Sequence, residues 1–172
     1  PGVGGPPLAV CVLAAVLAAP AAALPRSPAD VQASAALAVT KTLQESASTF
    51  ARGDLEAASK VWSHSEALTV FESGHVNVGW RDYRDNHLGP EMKELHDVSY
   101  RLTNIVPHVI GDTAWATFRY AIAGRDADGR AFKGTGLGTA VLERSARTWR
   151  IVHWHTTSSP KPKATQPPPN AG

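Results

Sequence analysis

The sequence predicts an α+β fold in which three helices pack on a cone-shaped, strongly curved antiparallel sheet, in the order α-α-β-β-α-β-β-β-β. Three observations carry this expectation. A long stretch near the start, residues 29–52, has no internal Pro or Gly and repeats apolar residues at helical steps. The second half holds four strand-like runs in series, joined by short turns. Between these halves lie a hairpin signal at Ser73-Gly74 and one further helical stretch.

In residues 29–52, Val31, Ala35, Leu37, Val39, Leu43, Ala47 and Phe50 recur at mixed three- and four-residue steps, the pattern of an amphipathic helix. Gly53 stops it, and Asp54 stands where an N-cap would open a second helix over 55–62. Residues 67–71 and 76–78 read as a hairpin. Residues 80–95 look helical, with Gly89-Pro90 expected to break or kink the helix because proline lacks the N–H the ladder needs. Strands follow at 98–110, 113–123, 131–143 and 148–158, separated by turn residues such as Gly111-Asp112 and Asp126–Gly129. A curved sheet of this kind cannot cover its own concave face. Three helices would bury it and leave a cavity at the open end.

The flanks differ from this domain, expected over 25–159. The first 25 residues carry no charge, and Leu8–Leu17 is an apolar run too short for a bilayer, which needs roughly 20 residues. Pro20 and Ala21-Ala22-Ala23 follow, a small-residue cleavage pattern, so residues 1–24 read as a signal peptide and the protein as periplasmic or secreted. The chain opens on Pro1, so the basic start of that signal is expected to precede it. Val10 before Cys11, with the apolar run continuing past it, speaks against a lipoprotein signal. Without Cys11 the mature chain has no thiol for a disulfide, a nucleophile or a metal. Residues 160–172 turn to Pro, Lys and Gln and read as a disordered tail.

Charge excludes one class of partner. Of 17 basic residues, Arg26, Lys161 and Lys163 lie in the flanks, leaving 14 against 15 acidic ones. A near-neutral domain without a clustered Lys/Arg face is not a nucleic-acid binder, and after signal cleavage no membrane partner is expected.

Strict alternation on the last strand would put Trp149, Ile151, His153, His155 and Thr157 on one face. With Trp149 and Ile151 in the core, His153 and His155 would line the cavity, about 6–7 Å apart at the backbone. Imidazoles so placed could act as general base and orienting partner, with Glu72 as a carboxylate partner. With one of His75, His87 or Glu72 as a third ligand, His87 first among them, they could hold a divalent metal at an open site, no cofactor being otherwise required. His75, His87, Tyr120 and Trp115 are the candidate ligand-binding residues, and His87 and Glu91 share a helical face. Backbone carbonyls and the hydroxyls of Thr156, Thr157 or Ser158 could equally satisfy His153 and His155 in a purely structural role. His64, His96 and His108 read as surface residues, and Trp62, Trp80, Trp115 and Trp149 as core. Trp154 and Val152 would face outward together, suggesting a subunit interface. Gly134, Gly136 and Gly138 share one face of a strand, allowing close backbone approach or sharp bending; bending would help close the cone.

The opening "FARGDLEAASKVW", the strand "GDTAWATFRY" and the closing "WRIVHWHTTS" resemble the nuclear transport factor two-like superfamily, in its SnoaL-like and ketosteroid-isomerase-related group. The resemblance spans about Ala33–Ser158. It implies a cone fold, acid/base isomerase, cyclase or lyase chemistry on a small organic molecule, and a homodimer through the outer sheet face. The ketosteroid isomerases use a carboxylate base with tyrosine and acid donors. Tyr83, Tyr100, Tyr120, Asp82, Asp85 and Asp97 are of those types, without a local motif to assign the roles. The related iota-class carbonic anhydrases end in His-His-His-Ser-Ser. His153-Trp154-His155-Thr156-Thr157 departs from this at the middle His and both Ser, leaving carbonic-anhydrase-like lyase chemistry as a lesser alternative. A non-catalytic module for a small ligand or metal, and an interaction domain with a vestigial pocket, are the other readings.

Overall fold

The computed structural model describes residues 1–2 and 27–159. The expected cleavage site, Cys11 and the tail 160–172 lie outside the described residues.

Helix α1 (Pro28–Ala51) starts where Ser27 and Asp30 cap each other: the Ser27 hydroxyl accepts from the Asp30 N–H at 3.1 Å, and Asp30 reaches back to the Ser27 N–H at 3.2 Å. Pro28 fits at the first turn because its missing N–H has no partner there in any case. Its buried stripe is Ala35, Val39, Leu43, Ala47 and Phe50. Val31 and Leu37, read from sequence as part of that stripe, are exposed. After Gly53, at φ 66°, Asp54 accepts from the Ala57 N–H and opens α2 (Leu55–Val61).

Strands β1 (Thr69–Glu72) and β2 (His75–Val78) form a hairpin across Ser73 and Gly74, both at positive φ, as a primed two-residue turn requires. The third helix is continuous rather than broken. It runs through α3 (Trp80–Tyr83), a π-turn (Arg84–Leu88) and α4 (Gly89–Glu94). The Gly89 N–H donates to Arg84 O, five residues back. The wider turn accommodates Pro90, which can neither donate to the ladder nor tolerate a carbonyl close behind its ring. A Cβ on Gly89 would lie 2.7 Å from Arg84 O, so this turn accepts only glycine.

Strands β3 (His96–Ile110), β4 (Thr113–Arg125), β5 (Ala131–Ser145) and β6 (Thr148–Ser158) form the meander. The six strands lie in the order β2-β1-β6-β5-β4-β3. All neighbours are antiparallel except β1, which runs parallel to β6. The sheet is curved and unclosed, ending at β2 and β3. The three helical segments lie against its inner face, so the α+β order read from sequence holds. Among the described residues, no helix is long and apolar enough to cross a membrane.

One irregularity decides what the inner face presents. Leu142 pairs with Ile151 but Val141 pairs with His153, leaving Val152 as an extra residue on β6. Such a bulge shifts side-chain alternation by one. Trp149 and Ile151 point into the core before it, and Trp154 and Thr156 after it. Straight alternation across 149–157 is therefore corrected. Trp154 is 2% exposed rather than on an outer interface, and His153 and His155 lie on the outer face.

The glycine strip also faces inward. A Cβ on Gly138 would fall 2.2 Å from the Phe118 ring, and one on Gly136 would fall 2.5 Å from Tyr120 and 2.0 Å from Thr157 O. The bare backbone lets two aromatic rings of β4 lie across β5. Close approach, rather than bending alone, explains these two positions.

Candidate active site

The inner face, α1 and the third helix enclose a cavity of about 360 Å³. Its walls are rings: Phe50 from α1, Trp62 after α2, Tyr83 from α3, Tyr100 and Tyr120 from β3 and β4, and Trp154 from β6. Several touch edge-on or tilted, Trp62 with Tyr83 at 4.7 Å and Tyr100 with Tyr120 at 5.9 Å between centroids, which fixes their positions. Glu72, His75, His87 and Glu91 bring titratable groups to this apolar space, and among the described lining residues there is no Lys or Arg.

Glu72 ends β1 with its side chain inward, as its partner across the hairpin, His75, does. Its Oε1 accepts from Trp154 Nε1–H at 2.9 Å and, at the limit of a hydrogen bond, from Thr156 Oγ1 at 3.5 Å. Its Oε2 lies 3.3 Å from His87 Nε2. Burial pushes the Glu72 carboxyl above the usual carboxylate range, although the neighbouring His87 pulls the other way.

His87 sits in the π-turn. Its Nε2 also lies 3.5 Å from Glu91 Oε1, and its Nδ1 lies 2.7 Å from Asn77 Oδ1. The hydrogen bond to Glu91 is the main cause that raises the imidazole's affinity for a proton; burial opposes it and Glu72 adds to it. Glu72 and His87 thus form a buried acid/base pair whose two members both hold protons more tightly than usual. Tyr83 and Tyr100 are held well above the ordinary phenol value, first by burial and then by the Glu72 charge, so both stay protonated donors. Both rings line the cavity, and neither hydroxyl has a hydrogen-bond partner among the described residues or is a buried atom left without one.

Glu72, His75, His87 and Tyr120 are therefore brought together at one cavity, with Glu91. His153, His155 and Trp115 are not. His153 Nδ1 bonds Thr69 Oγ1 at 2.7 Å on the outer face, and the Phe71 ring meets both imidazoles edge-on, at 5.3 and 5.9 Å. Burial, then His155, lowers the His153 proton affinity. Trp115 is 41% exposed beside His108, not core and not cavity. The expected His153/His155/His87 metal site is corrected, since the sheet separates the pair from His87. Among the described residues, no group of three His, Cys, Asp or Glu side chains converges as a metal site would. The carbonic-anhydrase-like stretch is likewise split, Trp154 inward and its flanking histidines outward.

Sequence reasoning passed over Asn77, 8% exposed, whose side chain holds His87. Val76 and Val78 are both exposed on the outer face, so alternation alone turns Asn77 inward. That was the available signal.

A family model described as SnoaL-like domain matches residues 39–160. Among solved structures, the chain is similar to a candidate dehydratase of the NTF2-like family from Streptomyces avermitilis (TM-score 0.67, 19% identity, covering 75% of this chain and 99% of that one). It is similar to a candidate ketosteroid isomerase from Shewanella frigidimarina (TM-score 0.58, 18% identity, 70% and 94%). The association domain of C. elegans CaMKII also shares the fold (TM-score 0.56, 21% identity, 74% and 96%). No curated protein matches the sequence.

Proposed function

The chain belongs to the SnoaL-like domain family, and within it we propose that the Glu72–His87 cavity is an acid/base active site for an isomerase- or lyase-type reaction on a small, uncharged organic substrate. The observation that carries this reading is the 3.3 Å contact between Glu72 Oε2 and His87 Nε2 inside an aromatic cavity. A buried carboxylate next to an imidazole can take a proton from carbon beside a carbonyl. Tyr83 and Tyr100 supply protonated hydroxyls for the oxyanion that forms. Returning the proton at another carbon gives isomerisation, and loss of a leaving group gives elimination. Two carboxylates without a Lys or Arg among the described lining residues disfavour an anionic substrate.

A base in an apolar cavity can be tested without the natural substrate. We expect the full chain to accelerate the base-promoted ring opening of 5-nitrobenzisoxazole, and Glu72→Gln to lower the rate on the order of 100-fold. Equal rates for wild type and Glu72→Gln would overturn the reading. No rate above solution would leave a non-catalytic binding module.

The same reading extends to location and assembly. The uncharged first 25 residues and Ala21-Ala22-Ala23 support export, tested by N-terminal sequencing of the periplasmic or secreted protein. Exposed Val76, Val78, Val106, Trp115 and Leu137 share the outer sheet face and support a homodimer there. Sedimentation of wild type against Leu137→Glu tests it; a monomeric wild type would overturn it.

A further inference from the structure

We propose that Asn77 and Asp82 are positioning residues that hold His87 as its Nδ1–H tautomer, making Nε2 the nitrogen that exchanges a proton with Glu72. The purpose of this arrangement rests on the acid/base reading above, but its geometry does not.

An asparagine amide can present either its oxygen or its nitrogen to an imidazole, so Asn77 alone would not choose a tautomer. Asp82 makes the choice. Its carboxylate only accepts, and Asn86 Nδ2, Asn77 Nδ2 and the Val78 N–H donate to it at 2.8, 3.0 and 3.1 Å. These bonds, Asn86 first, hold it below the usual carboxylate range, so it stays ionised near neutrality. With its nitrogen committed to Asp82, Asn77 offers His87 Nδ1 an acceptor oxygen at 2.7 Å. Nδ1 must then carry the proton in both the neutral and the charged imidazole. Titration is confined to Nε2, which lies 3.3 Å from Glu72 Oε2 and 3.5 Å from Glu91 Oε1. The groups facing His87 are Glu72 from β1, His75 and Asn77 from β2, and Asp82, Tyr83 and Glu91 from the third helix. Glu72 and Glu91 supply the acceptors on the Nε2 side, and Asp82 acts on the Nδ1 side through the amide.

Asp82 also receives the Val78 N–H and so steadies the entry to α3, a structural role that would leave the tautomer unaffected. The deciding measurement is therefore the state of the ring. Long-range proton–nitrogen spectra of the nitrogen-15-labelled full chain, with His87→Gln to assign the signal, report which nitrogen holds the proton. Wild-type neutral His87 is expected to be protonated at Nδ1. Asp82→Asn lets the Asn77 amide flip and should shrink that preference about fivefold, the scale of one net hydrogen bond. The double variant Asp82→Asn/Asn77→Asp restores an accept-only partner and with it the Nδ1–H form. Ring opening of 5-nitrobenzisoxazole should follow the same order through kcat, with KM little changed. A wild-type ring protonated mainly at Nε2 overturns the proposal, and this result does not depend on any variant folding. An unchanged tautomer in folded Asp82→Asn overturns it as well. The expected tautomers in a protein that does not open the ring would support the positioning and sink the acid/base reading instead.

Discussion

The two faces of the sheet use similar side chains to opposite ends. Inward, Glu72 meets His87 beside Trp154 and Thr156 in an aromatic space, where burial raises the acid's proton affinity and the Glu91 hydrogen bond raises the base's. Outward, His153 and His155 flank Phe71, where His153 is half-buried against the Thr69 hydroxyl and His155 lies exposed in a groove, with no carboxylate beside either among the described residues. Residues from the same two strands, β1 and β6, build both. The contrast teaches that a titratable group gains chemical character from the enclosure on its side of the sheet, and that one inserted residue in β6 assigns the sides.

Exchanging the two sides at that point is the sharpest way to break the contrast. Deleting Val152 would not do so, because His153 would then follow Ile151 in ordinary alternation and Trp154 would stay inward. The exchange His153→Trp/Trp154→His instead sends the indole outward and an imidazole into the core. Loss of the Trp154 burial alone costs about 4 kcal/mol, so thermal unfolding should show a much lower midpoint, and a midpoint near wild type would mean that the bulge does not set the faces.

The next test compares two tryptophans. Trp154→Ala opens a hole beside Phe118 and Trp62 and removes a donor from Glu72, at an expected cost of about 3–5 kcal/mol. Trp115→Ala, on the exposed face, should cost under about 1 kcal/mol in the monomer. Urea unfolding of both variants measures the difference directly, and equal losses would contradict it.

A smaller effect follows from the raised proton affinities. Both Glu72 and His87 bind a proton more tightly folded than unfolded. The His87 contribution is complete below its ordinary 6.5 and is lost as pH rises through the folded value. For Glu72 the loss begins above its ordinary 4.5. Wild type should therefore lose stability relative to Glu72→Gln as pH rises from 5 to 8 in urea titrations. A gap between the two that stays constant with pH would remove burial as the cause of the Glu72 shift.

The smallest expected change lies far from either face. Ala146 and Arg147 turn β5 into β6 with φ of 47° and 71°, a left-handed region costly for residues with a Cβ. Arg147→Gly should raise stability by about 1 kcal/mol without altering the cavity. A loss would show that the Arg147 side chain contributes more than its backbone costs.

Much of the fold is legible in the chain because punctuation is local: Gly53 and Asp54 separate the first helices, and Ser73-Gly74 and Gly111-Asp112 turn strands. The pairing of His87 with Glu91 is also legible, since four residues is one helical step. The placement of His153 and His155 is not, because a bulge depends on how β5 and β6 pair, and Val152 looks like any strand residue. Continuity of the third helix was hidden for a similar reason. Pro90 signals a break, and the π-turn that absorbs it depends on room behind Arg84 O that a bare Gly89 provides. Asn77, between two valines, is turned inward by alternation, but its role depends on Asp82 and His87 of the third helix meeting it, which the sequence does not place.

The three inward glycines of β5 are not equivalent. At Gly136 and Gly138 an added methyl collides with rings or backbone, but at Gly134 it would meet only Ile122 Cγ2 at 3.5 Å, an ordinary contact. Gly134 lines the cavity. It is thus the point in this strip where a lineage, or an engineer, can trim the chamber without disturbing its frame. Ala, Val or Leu there would grade the size of molecule admitted, leaving Glu72 and His87 in place.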